Sequence, residues 1–306
     1  MSARKTDSGL DGILAVDKPA GWTSHDVVAK VRGIVRQRRI GHTGTLDPMA
    51  TGLLVLCLGQ ATRLVEYMAG HDKRYVGTVT LGITTTTDDA EGEVLRRATV
   101  DGISPLQLEA ALETLRGAIL QRPPAFSALK IGGRRAYDLA RKGEVVELQL
   151  RPVTISSFAA EVAGPETLRI DVSCTAGTYI RSLARDLGEL LGCGAHLSAL
   201  RRVRVGGLDL TEALTIEQVQ QAAGSDRLEE ILLPVDDGVS TLDAAILHQD
   251  AGGVLANGGL WKSGSNVVRA AEPARIYDSA GQFIAVGSVS SLGEIRPLKV
   301  LGRPKR

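Results

Sequence analysis

The longest uninterrupted apolar run in this chain is Leu53 to Leu58, six residues between two glycines. A helix that crosses a bilayer needs about 20 apolar residues, so this run is too short to span a membrane. A short apolar run without alternation is typical of a strand that is buried on both faces. With 306 residues, the chain is long enough for about two domains. We therefore expect a globular protein without membrane association.

The apolar pattern elsewhere predicts a mixture of strands and helices. Short or alternating apolar runs predict strands at 12–17, 75–81 and 168–174. Helical spacing predicts helices after Ser24, which is a candidate N-cap, and over 105–115 and 178–191. In the tail, two further strands at 274–278 and 282–286 are joined by Ser-Ala-Gly, as in a hairpin. We place a small β domain from about residue 245 onward.

The net charge of +1 conceals a segregation of charge along the chain. Residues 27–46 hold five basic residues and no acid, and residues 115–143 hold seven basic residues against one aspartate. Residues 209–243 reverse this balance with nine acids and one arginine, and the C-terminal segment is basic again. Any one basic stretch can be a solvated helix face. Three separate basic stretches favour a positively charged track that binds a polyanion. The partner would then be a nucleic acid, of a kind that the charge pattern does not specify.

Cysteine usage and the N-terminus favour a cytoplasmic protein. The three cysteines, Cys57, Cys174 and Cys193, lie far apart and form no Cys-x-x-Cys pair. That spacing argues against a zinc site and against a disulfide framework. The polar N-terminus lacks the apolar core of a signal peptide, so we expect a cytoplasmic location.

A glycine-rich loop at 41–52, GHTGTLDPMATG, carries the densest chemical signal. Its titratable groups are His42 and Asp47, and Pro48 restricts Asp47 to extended conformations. Local chemistry alone favours a turn that Asp47 caps, with His42 packed against it. A hydrolase that uses the two residues as an acid–base pair is an alternative. A phosphate-binding loop is excluded because no Gly-Lys-Ser/Thr follows.

Five ordered motifs resemble those of one enzyme family. They are DKPAGWTS at 17–24, GHTGTLDPMATGLL at 41–54, KRYVG at 73–77, GTYIRSL at 177–183 and AHLSALRR at 195–202. Together they resemble the TruB family of tRNA pseudouridine synthases, whose members isomerise uridine 55 in the T-loop of tRNA. The resemblance covers the chain from about residue 12 to residue 205.

The resemblance implies an α+β fold with two domains. Residues 10–235 would form a pseudouridine synthase catalytic domain with a mixed, largely antiparallel sheet and flanking helices. It would contain an RNA-binding insertion at about 121–150. Residues 245–306 would form a small β-rich, PUA-like RNA-binding domain. The implied partner is the T-loop and T-arm of tRNA, with no membrane, no protein partner, no metal and no cofactor, and we expect a monomer.

The resemblance also implies three catalytic residues. Asp47 matches the family's aspartate and would be the nucleophile, attacking either C6 of uracil or C1′ of ribose. Arg181 matches an arginine that would pair bidentately with Asp47 and keep it ionised. The alternative for Arg181 is an ion pair with Asp186 or Glu189 on its own helix. Tyr75 matches a tyrosine that would stack on the uracil, with its hydroxyl near the proton to be moved.

Five further residues match family positions around the substrate: His42, Tyr179, Leu200, Lys18 and Asp89. His42 would bind the nucleotides displaced when the uridine is flipped out. Tyr179 and Leu200 would line the pocket. Lys18 would support the active-site wall, and a solvated turn lysine is an equal alternative. Asp89 would lie near the pocket, although its doublet with Asp88 leaves an acidic metal-binding loop as a weaker alternative.

A second class of function is a non-catalytic tRNA-binding or tRNA-folding protein on the same scaffold. Such a protein predicts a change at Asp47, Tyr75 or Arg181, and all three residue types are intact. A small-molecule hydrolase would leave the basic stretches and the C-terminal domain unexplained. We therefore predict a tRNA uridine-55 isomerase that flips its target base into a pocket.

Overall fold

The computed structural model describes residues 9–126, 130–131, 134–135, 148–247, 251–256, 258–262 and 271–301. The strands are β1 Gly12–Lys18, β2 Ile40–His42, β3 Thr51–Leu58, β4 Lys73–Leu81, β5 Ile83–Thr85, β6 Val94–Arg97, β7 Gly117–Gln121, β8 Lys130–Ile131, β9 Arg134–Arg135, β10 Arg151–Gly164, β11 Thr167–Cys174, β12 Ala195–Val205, β13 Leu208–Asp209, β14 Asp243–Ile246, β15 Trp261–Lys262, β16 Ala271–Tyr277, β17 Phe283–Val289 and β18 Glu294–Val300. The α-helices are α1 Ser24–Val35, α2 Val65–Ala69, α3 Pro105–Thr114, α4 Ile180–Leu190, α5 Ile216–Gly224 and α6 Ala251–Ala256. Short 3₁₀ helices are Gly59–Leu64, Leu210–Glu212, Glu229–Ile231 and Val235–Val239. None of the described helices is long and apolar enough to cross a bilayer.

The main sheet has nine strands within the described residues. Its order is β1-β3-β12-β4-β11-β10-β7, with β2 on β3 and β13 on β12. The β12–β3 pair is parallel, and the other neighbouring pairs are antiparallel. The prediction of an α+β fold with a mixed, largely antiparallel sheet is therefore confirmed.

Strand β3 lies inside this sheet and explains the apolar run. Residues 53–58 are all 0% exposed. Because successive side chains of a strand point to opposite faces, residues 54, 56 and 58 pack into one core and residues 53, 55 and 57 into a second core. Both faces of β3 are covered, so no position in the run tolerates a polar side chain at low cost.

Two helices begin at different residues from those predicted. The N-cap of α1 is Thr23, whose hydroxyl accepts a hydrogen bond from the backbone N–H of Asp26, while the Asp26 carboxylate accepts one from the N–H of Thr23. This capping box leaves the hydroxyl of Ser24 available for another contact. Helix α4 begins at Ile180 rather than at residue 178, because Tyr179 has an extended backbone.

The insertion predicted at about 121–150 lies largely outside the described residues. Strand β7 ends at Gln121, and residues 122–126 follow it. Within the predicted insertion, the two-residue strands β8 and β9 pair with each other. The role of this segment in RNA binding stays a prediction.

The C-terminal segment forms its own five-stranded sheet, in the order β14-β16-β17-β18-β15. The predicted hairpin is confirmed, since β16 and β17 pair antiparallel. The sheet begins at Asp243, where β14 pairs parallel with β16. A short helix, α6, packs against it, so the segment is not purely β.

The C-terminal sheet packs against the main sheet through a shared core. Val286 and Leu301 belong to the same buried cluster as Met68 and the odd-numbered side chains of β3. At the edge of this cluster, the Tyr277 hydroxyl donates a hydrogen bond of 2.7 Å to Asp236. The two sheets are therefore joined by buried apolar surface as well as by the chain.

Candidate active site

The loop between β2 and β3 carries Asp47, and other segments fix its backbone. The Ser24 hydroxyl accepts a hydrogen bond from the N–H of Leu46 at 2.8 Å and donates one to its carbonyl at 3.2 Å. On the other side of Asp47, the N–H of Gly21 donates to the Pro48 carbonyl at 2.8 Å. The main chain is thus held on both sides, while the Asp47 side chain is 37% exposed. The carboxylate is accessible from a fixed position.

Arg181, at the start of α4, contacts both oxygens of the Asp47 carboxylate. Nη2 donates to Oδ1 at 3.2 Å, and Nε lies 2.9 Å from Oδ2. The Nε–H is not aligned for a hydrogen bond, so this second contact is an ion pair only. The Arg181 side chain is 6% exposed. The alternative pairing within α4 is not used, because Asp186 pairs with Arg185.

Asp89 lies against the same guanidinium, with Oδ2 3.2 Å from Nη1 of Arg181. Its side chain is 5% exposed, and its other oxygen accepts hydrogen bonds from the Thr87 hydroxyl and the Glu91 N–H. Arg181 also donates to the carbonyls of Thr87 at 3.0 Å and Phe126 at 3.1 Å. Two carboxylates and two carbonyls therefore fix the plane of the guanidinium.

The two aspartates of the doublet face different arginines. Asp88, with a positive φ of 60°, accepts a hydrogen bond of 2.8 Å from Nη1 of Arg185. Burial raises the pKa of Asp88, and the charge of Arg185 opposes this rise. Arg185 also donates to the Arg122 carbonyl, where the chain leaves β7. Both carboxylates of the doublet are thus paired with guanidinium groups. In the described ranges, no three His, Cys, Asp or Glu side chains gather as a metal site.

Tyr75 and Leu200 lie on neighbouring strands, β4 and β12. They are 7% and 8% exposed. Leu200 is the register partner of Gly77, so its side chain lies on the face of the sheet that Tyr75 also occupies. Burial raises the pKa of Tyr75, and the nearby charge of Asp47 adds to the rise. The phenol is therefore protonated at neutral pH and lies within electrostatic range of the loop acid.

Tyr179 is held through its backbone. Gln121 accepts a hydrogen bond from the Tyr179 N–H at 2.8 Å and donates one to its carbonyl at 3.0 Å. Gln121 is 2% exposed, so this amide is a buried link between the end of β7 and the start of α4. The link fixes the residue that immediately precedes Ile180 and Arg181.

The His42 ring packs against another histidine. Its ring meets the His25 ring edge to face, with centroids 5.6 Å apart. Burial lowers the pKa of His42, and the charges of His25 and Arg202 lower it further, so the ring is neutral at neutral pH. No hydrogen bond or ion pair joins the described residues His42 and Asp47, so the structure does not form the acid–base pair of a hydrolase. A turn does begin at Asp47, whose carbonyl accepts a hydrogen bond of 3.1 Å from the N–H of Ala50.

Lys18 is fully buried, so the alternative of a solvated lysine is wrong. Its ammonium group donates to the carbonyls of Pro19 at 2.9 Å, Trp22 at 2.6 Å and Pro48 at 3.2 Å. These bonds engage all three protons. Burial lowers the pKa of Lys18 to about 8, against the opposing charge of Asp47. This geometry fits support of the active-site wall and leaves no proton for a substrate.

Lys18→Met is expected to lower the free energy of unfolding by about 1–3 kcal/mol, because buried carbonyls lose their donor. Equilibrium urea denaturation measures this loss. Lys30→Met, on the exposed face of α1, is the matched control and should change stability by less than about 0.5 kcal/mol. Equal stability of the two variants would contradict the supporting role of Lys18.

Three buried residues at the site were missed from the sequence: Ser24, Gln121 and Arg202. Ser24 holds Leu46, and Gln121 holds Tyr179. Arg202 donates to three carbonyls of the loop and of β3. Ser24 and Arg202 lie within two of the five motifs that resemble the family, so the motifs could have indicated them as site residues. No sequence pattern indicated Gln121.

Comparison with known proteins adds evidence that is independent of this geometry. The family model for the TruB family pseudouridylate synthase N-terminal domain matches residues 32–180, and that for the tRNA pseudouridylate synthase B C-terminal domain matches residues 181–240. A protein of Ectopseudomonas mendocina named tRNA pseudouridine synthase B is 42% identical over 299 residues, 95% of each chain. A protein of the same name from Thermobifida fusca is 52% identical over 217 residues, 68% of this chain and 74% of the relative.

Two solved structures share the fold. A chain in an H/ACA ribonucleoprotein bound to a substrate RNA containing 2′-deoxyuridine has a TM-score of 0.76 at 21% identity, covering 97% of this chain and 87% of that chain. A chain in an archaeal box H/ACA complex has a TM-score of 0.71 at 21% identity, covering 96% and 87%. With the motifs, the two family models and the relatives in agreement, this chain belongs to the TruB family of pseudouridylate synthases.

Proposed function

We propose that this chain isomerises uridine 55 in the T-loop of tRNA to pseudouridine, with Asp47 as the nucleophile. The observation that carries the proposal is the position of Arg181, which holds the accessible Asp47 carboxylate on one side and the buried Asp89 on the other. The substrate class is supported by the names of the relatives.

The reaction rearranges one nucleotide without any net change in its atoms. Asp47 forms a transient bond, to C1′ of the ribose or to C6 of the uracil, and the bond between N1 and C1′ breaks. The uracil turns within the pocket and C5 bonds to C1′. The proton on C5 leaves, N1 gains a proton, and Asp47 is released. Because the rearrangement involves no net oxidation or reduction, it requires no redox cofactor.

The other site residues receive roles that fit their positions. Arg181 orients the Asp47 carboxylate. Tyr75 stacks on the everted uracil, with its hydroxyl beside the proton that leaves C5. Tyr179 and Leu200 line the pocket. His42, as a neutral ring at the surface of the site, contacts the nucleotides that base flipping displaces.

Lys18 and Asp89 act indirectly in this scheme. Lys18 holds the loop through the Pro48 carbonyl, and Asp89 fixes the guanidinium that faces Asp47. We assign the basic stretches, the insertion at about 121–150 and the PUA-like segment 245–306 to binding of the T-arm phosphates and backbone. We further propose that the protein acts as a cytoplasmic monomer, because one chain contains the whole site.

The decisive experiment is incubation of the purified protein with an unmodified tRNA transcript, followed by mapping of pseudouridine at single-nucleotide resolution. We expect modification at position 55 alone. A transcript with cytidine at position 55 is the control. Binding without modification would identify the non-catalytic alternative, whereas the absence of both would overturn the proposed substrate.

Affinity for tRNA is expected to fall steeply with salt. Each neutralised phosphate releases counterions, so two phosphate contacts already weaken binding about tenfold between 50 and 200 mM salt. Filter binding at four salt concentrations measures the slope. Helix α1 carries the exposed Lys30, followed by Gly33 and Val35. If this helix contacts RNA, Lys30→Gln should reduce the slope of tRNA affinity against salt concentration. A tRNA affinity that does not change with salt concentration would contradict the prediction that the basic stretches form a track for a polyanion.

A further inference from the structure

We propose that Arg202 is a positioning residue for the isomerisation, which holds the Asp47 loop from inside the sheet, on the strand that pairs with the Tyr75 strand. The inference deepens the proposed function and rests on it. Arg202 does not reach Asp47 directly, and it acts through the main chain on both sides of that residue.

The contacts of Arg202 are almost entirely with backbone. The residue is 1% exposed and lies in β12. Nε donates to the Leu53 carbonyl at 2.7 Å, Nη2 to the Gly44 carbonyl at 3.0 Å and Nη1 to the Thr45 carbonyl at 3.4 Å. Gly44 and Thr45 precede Asp47, and Leu53 follows it. One planar fork therefore joins the two ends of the catalytic loop.

The position of Arg202 in the sheet places it between the strand that carries Tyr75 and the end of the Asp47 loop. Its register partner in β4 is Tyr75, and its register partner in β3 is Gly52. Gly52 has a φ of +96°, and an added Cβ would lie 2.3 Å from the Arg202 carbonyl oxygen. The loop therefore returns to the sheet directly against the Arg202 backbone, at a place where only glycine fits.

Arg202 also supplies a buried positive charge. It forms no ion pair with any carboxylate of the described residues. Its charge adds to burial in lowering the pKa of Lys18 and of Lys73 to about 8 each. At Tyr75 the same charge opposes the rise in pKa that burial causes. A buried guanidinium without a carboxylate partner is costly to remove from water, and its hydrogen bonds to three carbonyls offset that cost.

Arg181 and Arg202 therefore position Asp47 in different ways. Arg181 binds the carboxylate, and Arg202 binds the loop that carries it. A shift of about 1 Å in a reacting group is enough to reduce a rate about a hundredfold, so the loop anchor has a direct kinetic consequence.

The test measures single-turnover rates at saturating tRNA together with tRNA affinity and thermal stability, for Arg202→Met and Arg202→Lys. Val205→Ala is the matched control: Val205 is 1% exposed in the same strand, and it belongs to the second core rather than to the site. We expect Arg202→Met to lower the rate about a hundredfold with tRNA affinity within about threefold. We expect Arg202→Lys, which keeps the charge but not the fork, to lower it about tenfold.

The inference is overturned if the Arg202→Met rate falls no further than that of Val205→Ala, or if Arg202→Lys turns over at the wild-type rate. If Arg202→Met does not fold, the decision rests on Arg202→Lys, where a slower rate at unchanged affinity supports the inference. Failure of the proposed function is a separate result, since the wild-type protein would then make no pseudouridine.

Discussion

Asp47→Asn is expected to abolish pseudouridine formation, with a loss of about four orders of magnitude or more in the single-turnover rate. An amide of the same shape cannot form the transient bond to C1′ or C6. The fold should persist, because Arg181 keeps its contacts with Asp89 and with the Thr87 and Phe126 carbonyls. Affinity for tRNA should also persist, because the basic stretches that we propose bind the phosphates do not include Asp47.

The measurement pairs pseudouridine mapping with filter binding and urea denaturation of the same preparation. Asp171→Asn is a matched control, since Asp171 forms a half-exposed ion pair with Arg74 on the main sheet. That variant should turn over at the wild-type rate. Full activity of Asp47→Asn would end the catalytic assignment, and loss of folding or of tRNA binding would point to a structural role.

Arg181→Met is expected to lower both turnover and stability. Asp89 would remain as a buried carboxylate without its cation, which costs about 3–5 kcal/mol. Asp47 would lose the group that orients it, and we expect the rate to fall about a thousandfold, at the scale of a lost preorganised charge. Urea denaturation and single-turnover kinetics measure the two effects separately.

The double variant Arg181→Met with Asp89→Asn separates the two functions of the guanidinium. Removal of the buried charge should restore at least half of the lost stability, because the uncompensated group is gone. Turnover should stay low, because Asp47 still lacks its partner. Recovery of turnover in the double variant would mean that Arg181 serves only to neutralise Asp89.

The sequence was sufficient to predict the fold class and the pairing of two distant residues. The buried strand β3 followed from an apolar run without alternation, and the Arg181–Asp47 contact joins residues 134 apart in the chain. That contact followed from motif resemblance and from the need of a buried carboxylate for a cation. From spacing alone, Asp186 was the nearer partner for Arg181, and the structure gives Asp186 to Arg185.

Contacts made through the backbone could not be predicted. Every residue has a backbone carbonyl, so a side chain that donates to carbonyls requires no particular partner residue. The partners of Lys18 and Arg202 therefore cannot be identified from the sequence. Ser24 illustrates the same difficulty at a helix end. Thr23 and Ser24 are equally good N-caps by residue type, and the choice depends on Asp26, which completes the capping box with Thr23. The released hydroxyl of Ser24 then holds Leu46 beside Asp47.

The buried cluster shared by the two sheets has a consequence for which RNAs can be modified. Val286 and Leu301 are packed with Met68, so the C-terminal sheet cannot swing away from the main sheet without exposing apolar surface to water. If both sheets contact RNA, as proposed, the substrate must match a constant separation between them. Hairpins whose stems are too long or too short would then be rejected, even when every nucleotide around the target uridine is the same.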